Sequence, residues 1–119
     1  MIANNLTSLN ASKIQKIYKM FMKIRLTELE ISKKYSEGIM RCPVHLSVGQ
    51  EIVPSVLSLF VKKDDTFVST HRGHAHFIAK NGNIKEMISE IYGKSSGTSR
   101  GNGGSMHLID KRVNFMGNS

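Results

Sequence analysis

Three histidines and one arginine lie close together in the middle of the chain, in the segment His71-Arg72-Gly73-His74-Ala75-His76. Imidazole nitrogens are common zinc ligands, and a guanidinium group holds phosphate through its rigid fork of donors. A closed zinc site takes about four ligands, but no second cysteine or pair of carboxylates completes such a set, and Arg72 places a cation inside the cluster. We therefore expect no metal site here, and we interpret Arg72 as an anion ligand.

The position of this cluster supports that interpretation. It directly follows residues 66–70, the one segment whose β-branched residues predict a strand, and it leads into a predicted helix over residues 75–80. In open α/β sheets, ligands bind beyond the carboxyl ends of the strands, and the N–H groups that begin a helix favour anions. A phosphate-binding arginine is favoured, and a solvated arginine beside a buried histidine is the ordinary alternative.

A second candidate for anion binding is the glycine-rich segment Gly101-Asn102-Gly103-Gly104-Ser105. Successive glycines allow backbone N–H groups to converge on an oxyanion. The segment lacks the Lys-Ser or Lys-Thr ending of a nucleotide-binding loop, and no predicted strand precedes it. An oxyanion cradle and a flexible linker both remain open for this segment.

The charge of the chain is strongly basic, with 17 lysines and arginines against 9 acidic residues and a net charge of +8. A basic chain attracts nucleic acid, phosphorylated ligands or an acidic partner protein. The single cysteine, Cys42, cannot form an internal disulfide, so we expect it to pack in a reducing, cytoplasmic setting. No apolar run approaches the ~20 residues of a membrane span, so we expect no membrane association.

Two helices should precede the histidine cluster. The first should run from residue 12 to about residue 34, with Ser12 and Gln15 as a capping box. The second should begin after a loop over residues 38–43, capped by Ser47 with Gln50, and Pro54 demands a later start or a kink. Helical spacing predicts an apolar stripe on each helix: Ile14, Ile17, Phe21 and Ile24 on the first, and Ile52, Val53, Val56, Leu57 and Phe60 on the second.

The remaining elements are shorter. The helix over residues 75–80 should stop at Asn81-Gly82, and Asn83 should cap the next helix together with Glu86. That helix should bury one stripe and end at Gly93; the stripe is Ile84, Met87, Ile88 and Ile91. Residues 117–119 predict a turn. One predicted strand cannot make a sheet, so we expect a flexible segment over residues 1–11 and, over residues 12–119, one domain truncated at its C-terminal end.

Taken together, three segments carry a family resemblance: His45-Leu46-Ser47-Val48-Gly49-Gln50-Glu51, then His71-Arg72-Gly73-His74, then Gly101-Asn102-Gly103-Gly104-Ser105-Met106-His107. In this order and spacing, with Arg25 and Glu28 on the first helix, they resemble the α subunit (E1 component) of thiamine-diphosphate-dependent 2-oxo-acid dehydrogenases. That family includes pyruvate, branched-chain and acetoin-type enzymes. The resemblance implies an α/β fold, the N-terminal part of a thiamine-diphosphate-binding fold, mostly helical here with one or two short strands.

The resemblance also implies roles for residues. Arg72 and His71 would bind the cofactor diphosphate, and His45 would face the thiazolium and the substrate as the catalytic residue, since an imidazole transfers protons near neutral pH. Five residues would shape the pocket wall: His74, Gly103, Gly104, Ser105 and His107. Two departures stand out, because His71 and Asn102 occupy positions where many relatives have tyrosine and lysine.

The reaction implied is oxidative decarboxylation of a small 2-oxo acid, or cleavage of acetoin, with acyl transfer to a lipoyl group. The partners implied are an E1 β subunit in an α2β2 heterotetramer, which brings the glutamate that activates the cofactor, and a lipoyl-bearing acyltransferase. Mg²⁺ should bridge the diphosphate through ligands beyond Ser119, so residues 1–119 alone should be inactive.

A basic nucleic-acid-binding module or a non-catalytic interaction module is the alternative. No nucleic acid is expected as partner, because the first helix lacks the interleaved aromatic residues that stack on bases.

Overall fold

The computed structural model describes residues 9–118, and helices form most of their regular structure. In chain order the elements are α1 (Ala11–Tyr35), α2 (Ile52–Leu57), β1 (Phe67–Ser69), α3 (His74–Ala79), α4 (Ile84–Ile91), two short 3₁₀ helices (Gly104–Met106 and Lys111–Val113) and β2 (Phe115–Asn118). The prediction of a mostly helical chain with one or two short strands is confirmed.

The two strands form a parallel pair. Phe67 lies opposite Phe115 and Ser69 opposite Asn118, with an irregularity in register between them. Parallel neighbours need a long crossover connection, which here contains α3, α4 and the glycine-rich segment. The predicted turn over residues 117–119 is therefore wrong for Gly117 and Asn118, which are part of β2. Their hydrogen-bonding partner is distant in sequence, so the local pattern does not show it, and Ser119 lies outside the described residues.

Helix α1 begins earlier than predicted, because Asn10 caps it. The Asn10 side chain accepts a hydrogen bond from the N–H of Lys13 at 2.9 Å, so the predicted capping box at Ser12 is wrong. Its buried residues are Ile24, Glu28 and Ile31. The predicted stripe is correct only at its end, since Ile14 is 54% exposed. Of the segment predicted to be flexible, residues 1–8 lie outside the described part of the chain and Ala11 is helical.

Helix α2 turns a different face inward from the one predicted. Pro54 is its third residue, where the helix has no acceptor for a backbone N–H, so the proline needs neither a later start nor a kink. Pro54 and Ser55 are buried, whereas most of the predicted apolar stripe is exposed: Ile52, Val53, Leu57 and Phe60. A contact from another element holds α2 in this orientation, since Arg25 of α1 donates to the carboxylate of Glu51, the residue just before α2.

Helices α3 and α4 follow the sequence closely. Asn81 ends the first in the left-handed conformation, with φ of 62°. The Asn83 side chain accepts from the N–H of Glu86 at 3.2 Å and caps α4, as predicted. Met87 and Ile91 are fully buried, and Gly93, with φ of 69°, follows the helix end.

One apolar core joins these elements. Its buried members come from α1, α3, α4, the loops and β2: Ile24, Ile31, Met40, Ala75, Phe77, Ile78, Met87, Ile91, Leu108 and Phe115. The rings of Phe77 and Phe115 meet edge to face with centroids 5.3 Å apart, which fixes α3 against β2. None of the helices formed by residues 9–118 has the length and apolar character of a membrane span.

Candidate functional site

Three of the predicted site residues, His45, His71 and Arg72, lie close together just beyond the carboxyl end of β1. The rings of His45 and His71 meet edge to face, with centroids 5.0 Å apart and an interplanar angle of 85°. His71 is exposed and His45 is half-buried. Two imidazoles from segments 26 positions apart (71 minus 45) therefore face the same surface.

Arg72 ties this surface together. Its Nη1 donates to the carbonyl of Leu46 at 2.6 Å, and its own carbonyl accepts from the Ser47 hydroxyl at 3.1 Å. The side chain is exposed, and among residues 9–118 no acidic group pairs with it. The other guanidinium donors are thus free to hold an anion. Gly73, the next residue, lies close against the Asn118 side chain, since a Cβ at that position would lie 2.3 Å from the side-chain oxygen.

Behind this surface lies a chain of buried hydrogen bonds. Glu28 Oε1 is 2.8 Å from His74 Nδ1, and His74 Nε2 is 2.8 Å from the Ser105 hydroxyl. That hydroxyl oxygen also accepts the N–H of His45 at 3.2 Å, and Glu28 Oε2 accepts the N–H of Ser47 at 2.7 Å. Glu28, His74 and Ser105 are all 0% exposed. His74 and Ser105, expected on the pocket wall, thus lie behind it.

The order acid, histidine, serine in this chain is that of a hydrolytic triad. A nucleophilic serine must reach its substrate, and its hydroxyl must be free to attack. Ser105 meets neither condition, because it is fully buried and its oxygen accepts the N–H of His45. The arrangement supports the surface and does not itself attack a substrate.

Sequence reasoning placed Glu28 in the family pattern without giving it a role. A signal was present, since Glu28 lies between Ile24 and Ile31 at helical spacing and so faces the core. A carboxylate on an apolar stripe needs polar partners. The partners come from segments distant in sequence, so no local pattern identifies them.

The glycine-rich segment does cradle an anion, but the anion belongs to the chain itself. Glu90 Oε2 accepts the N–H groups of Ser99 and Gly101 at 2.7 and 2.9 Å, and Oε1 accepts those of Gly103 and Gly104 at 2.7 and 3.1 Å. The proposal that these N–H groups hold an external anion is corrected accordingly. Burial of Glu90 alone would raise its pKa, but the four N–H donors together hold that pKa below its ordinary range.

Helix α1 also anchors the start of α2 through an ion pair. Arg25 Nε donates to Glu51 Oε1 at 2.5 Å and its Nη2 donates to Oε2 at 3.0 Å, while the N–H of Gly49 donates to Oε1 at 3.0 Å. The hydrogen bonds from Arg25 lower the pKa of Glu51 to about 2, against the opposing effect of its burial. Residues 47–51, which follow soon after His45, are thus held at Ser47 by Glu28 and at Glu51 by Arg25.

The histidines of the central cluster have separate partners. His71 faces His45, His74 faces Glu28 and Ser105, and the His76 ring lies 2.9 Å from the Ser69 hydroxyl. Burial lowers the pKa of His76. Within the described part of the chain, no three His, Cys, Asp or Glu side chains form a group that could hold a metal ion. His107, the other predicted pocket residue, is exposed at the end of the first 3₁₀ helix.

Comparison with known proteins gives consistent matches. The family described as "Dehydrogenase E1 component" matches residues 18–119. The α subunit of acetoin:2,6-dichlorophenolindophenol oxidoreductase from Bacillus subtilis strain 168 is 36% identical over 110 residues, which cover 92% of this chain and 33% of the relative. The pyruvate dehydrogenase E1 component subunit α of Rickettsia bellii is 35% identical over 102 residues, covering 86% of this chain and 31% of the relative. A chloroplastic pyruvate dehydrogenase E1 α subunit of Arabidopsis thaliana is 36% identical over 117 residues, covering 97% of this chain and 27% of the relative. The chain thus spans about a third or less of the length of these relatives.

Proposed function

This chain belongs to the dehydrogenase E1 component family, and from that premise we propose that residues 12–119 supply one half of a thiamine-diphosphate-dependent active site. They correspond to the N-terminal portion of an E1 α domain with a thiamine-diphosphate-binding fold. The observation that carries the proposal is the meeting of His45, His71 and Arg72 beyond the carboxyl end of β1. Ligands of parallel α/β sheets bind at that end of the strands.

The donors at this surface fit a diphosphate. Arg72 keeps guanidinium N–H groups that no acidic residue among 9–118 neutralises, and the exposed ring of the preceding residue, His71, faces His45. A planar guanidinium binds phosphate oxygens through two parallel hydrogen bonds. When bound, thiamine diphosphate supplies the nucleophilic carbon and electron sink that cleave the bond beside a keto group. Residues 9–118 contain no group of three side chains that could hold a metal ion. Mg²⁺ would therefore take its protein ligands from outside these residues.

The chain's own residues would orient the cofactor and transfer a proton to or from the substrate. Arg72 would neutralise the diphosphate and fix its position, with His71 as a second donor beside it. His45 would hold or move a proton at the substrate's keto oxygen, since its ring lies next to that of His71. Because Arg72 also holds the carbonyl of Leu46, the diphosphate ligand and the proton-transferring ring are held in one geometry.

The proposed reaction is oxidative decarboxylation of a small 2-oxo acid such as pyruvate, or cleavage of acetoin, with the acyl unit passed to a lipoyl group. The names of the relatives support both substrates. The proposed partners are an E1 β subunit in an α2β2 assembly and a lipoyl-bearing acyltransferase; the net charge of +8 suits acidic partner surfaces. We propose a reducing, cytoplasmic location, in which Cys42 packs with Sγ 3.5 Å from the carbonyl of Ile91.

A chimera tests this proposal. Residues of this chain replace the aligned third of the Bacillus subtilis α subunit, and the chimeric enzyme is assayed for acetoin-dependent reduction of 2,6-dichlorophenolindophenol. We expect activity, and we expect Arg72→Gln to weaken thiamine diphosphate binding by about ten- to a hundredfold, because a charge-assisted hydrogen-bonded contact is lost.

Arg100→Gln is the matched control, since Arg100 is an exposed arginine with no side-chain partner among residues 9–118. Its cofactor affinity should equal that of the unsubstituted chimera. A soluble, assembled chimera that binds no thiamine diphosphate, or an Arg72→Gln variant that binds it as tightly as Arg100→Gln does, would overturn the proposed function.

A further inference from the structure

We propose that Glu28, His74 and Ser105 form a positioning relay for His45, acting through buried hydrogen bonds and touching no substrate. The inference rests on the proposed function for the importance of His45. It adds three residues that hold the histidine's backbone in place from inside the protein.

The relay closes a ring around residues 45–47. Glu28 Oε2 accepts the N–H of Ser47, and through His74 and Ser105 its Oε1 connects to the N–H of His45. One carboxylate therefore binds the N–H of Ser47 directly and is connected to the N–H of His45, two positions earlier, through two side chains. Since Glu28 is on α1, His74 starts α3 and Ser105 is in the first 3₁₀ helix, three elements must keep their relative positions for the ring to exist.

Arg72 holds the middle of the same segment. Its Nη1 donates to the carbonyl of Leu46, and the Ser47 hydroxyl donates to the carbonyl of Arg72. Both N–H groups at the ends of residues 45–47, the carbonyl between them and one hydroxyl are thus hydrogen-bonded. These hydrogen bonds hold the backbone of residues 45–47 in place, and they therefore fix the position from which the His45 side chain extends and its direction.

The hydrogen bonds have one consistent direction. As a carboxylate, Glu28 can only accept, so it requires the proton of His74 on Nδ1. His74 Nε2 then accepts from the Ser105 hydroxyl, whose oxygen accepts the N–H of His45. The other neutral tautomer would set the lone pair of Nδ1 against the carboxylate. The relay therefore specifies the tautomer of His74, and a side chain that served only to fill space would not.

The tautomer is the measurement that tests the relay. In the 119-residue chain labelled with ¹⁵N-histidine, NMR should show the His74 proton on Nδ1. Glu28→Gln changes the partner: its amide oxygen can still accept the N–H of Ser47, so its NH₂ must donate to His74 Nδ1. We expect the proton to move to Nε2 in this variant, with the two ring-nitrogen resonances exchanging character.

Ser105→Ala tests the other end of the relay and is the milder change, in case Glu28→Gln does not fold. It removes the acceptor of the His45 N–H, so we expect the exchange of that amide with solvent to accelerate about fivefold, the effect of one lost hydrogen bond. The close contact between the His45 and His71 rings should weaken as well. Ser55→Ala is the matched control: Ser55 is equally buried, but its hydroxyl bonds Glu51 outside the relay.

The proposal is overturned by a wild-type chain in which His74 carries no Nδ1 proton. It is also overturned if Ser105→Ala leaves the exchange of the His45 amide equal to that in Ser55→Ala. These readouts need no cofactor, so they are independent of the chimera assay. A chimera that fails to bind thiamine diphosphate would overturn the proposed function and leave the tautomer result standing.

Discussion

At the scale of single residues, Glu51 shows how a buried carboxylate is kept ionised. It is 1% exposed, yet two hydrogen bonds from Arg25 and one from Gly49 lower its pKa from an ordinary value of 4.5 to about 2. A carboxyl with a depressed folded-state pKa stabilises the fold fully above its unfolded-state value. That contribution is lost as the pH falls from about 4.5 towards about 2.

Glu51→Gln should therefore flatten the acid dependence of stability. Because the Arg25 side chain is 33% exposed and solvent screens the pair, we expect the wild type to lose roughly 1–2 kcal/mol more than the variant as the pH falls through this range. Urea unfolding at neutral and acid pH measures the difference. Glu30→Gln, which removes an exposed carboxylate that has no ion-pair partner among residues 9–118, is the control and should follow the wild type; parallel curves for wild type and Glu51→Gln would contradict the assignment.

At the scale of elements, the glycine-rich segment takes its shape from Glu90 on α4. Four N–H groups converge on one carboxylate that is 0% exposed. Glycine is favoured at Gly101 (79°) and Gly104 (63°), where the chain turns through positive φ. Since Ser105 follows directly, the carboxylate also sets the position of one end of the relay.

Glu90→Gln should loosen this segment. An amide keeps one acceptor but turns an NH₂ group towards N–H donors, so we expect a loss of about 2–3 kcal/mol in the free energy of unfolding. Amide exchange should accelerate at Gly103 and Gly104 more than in the core. The exposed Glu30→Gln is the comparison, expected within about 0.5 kcal/mol of wild type. Unchanged exchange at both glycines would show that Glu90 does not organise the loop.

The elements differ in how far the sequence determined them. Helix α4 was predicted correctly because its cap, Asn83, and its buried stripe are local signals. The face of α2 was predicted wrongly because contacts from other elements, led by the Arg25–Glu51 pair, orient it. For the glycine-rich segment the sequence left an oxyanion cradle and a flexible linker both open, and only the fold shows that its N–H groups bind Glu90.

The site divides in the same way. Family resemblance identified His45, His71 and Arg72, and the structure brings the two rings within 5.0 Å of each other. Their roles towards cofactor and substrate stay predictions. The support behind them was not foreseen, because Glu28 and Ser105 are connected through partners 46 and 31 positions apart along the chain.

At the scale of the whole molecule, α2 and the residues after it leave an apolar surface uncovered. Its members are Ile52 (53% exposed), Val53 (59%) and Phe60 (64%). Exposed apolar patches promote association. These three exposed side chains contribute little to the core, so substituting them should change the free energy of unfolding only slightly.

The double variant Val53→Lys, Phe60→Lys should thus raise solubility and reduce self-association, with the free energy of unfolding within about 1 kcal/mol of wild type. Light scattering over a concentration series measures the effect. Thr66→Lys adds a charge at an exposed position outside the surface and is the control. Equal scattering from all three proteins would show that this surface does not drive association.

The parallel pairing of β1 with β2 has a consequence for the order of assembly. The paired residues Phe67 and Phe115 are 48 positions apart (115 minus 67). The chain between them forms α3, α4 and the glycine-rich segment that binds Glu90. Distant contacts form slowly, because the entropy of closing the loop must be lost first. On a ribosome, β1 emerges long before its neighbour exists. His71 and Arg72 would then be carried on an unpaired strand end until synthesis reaches β2, so the surface they share with His45 is expected to reach its final form only after β2 has been made.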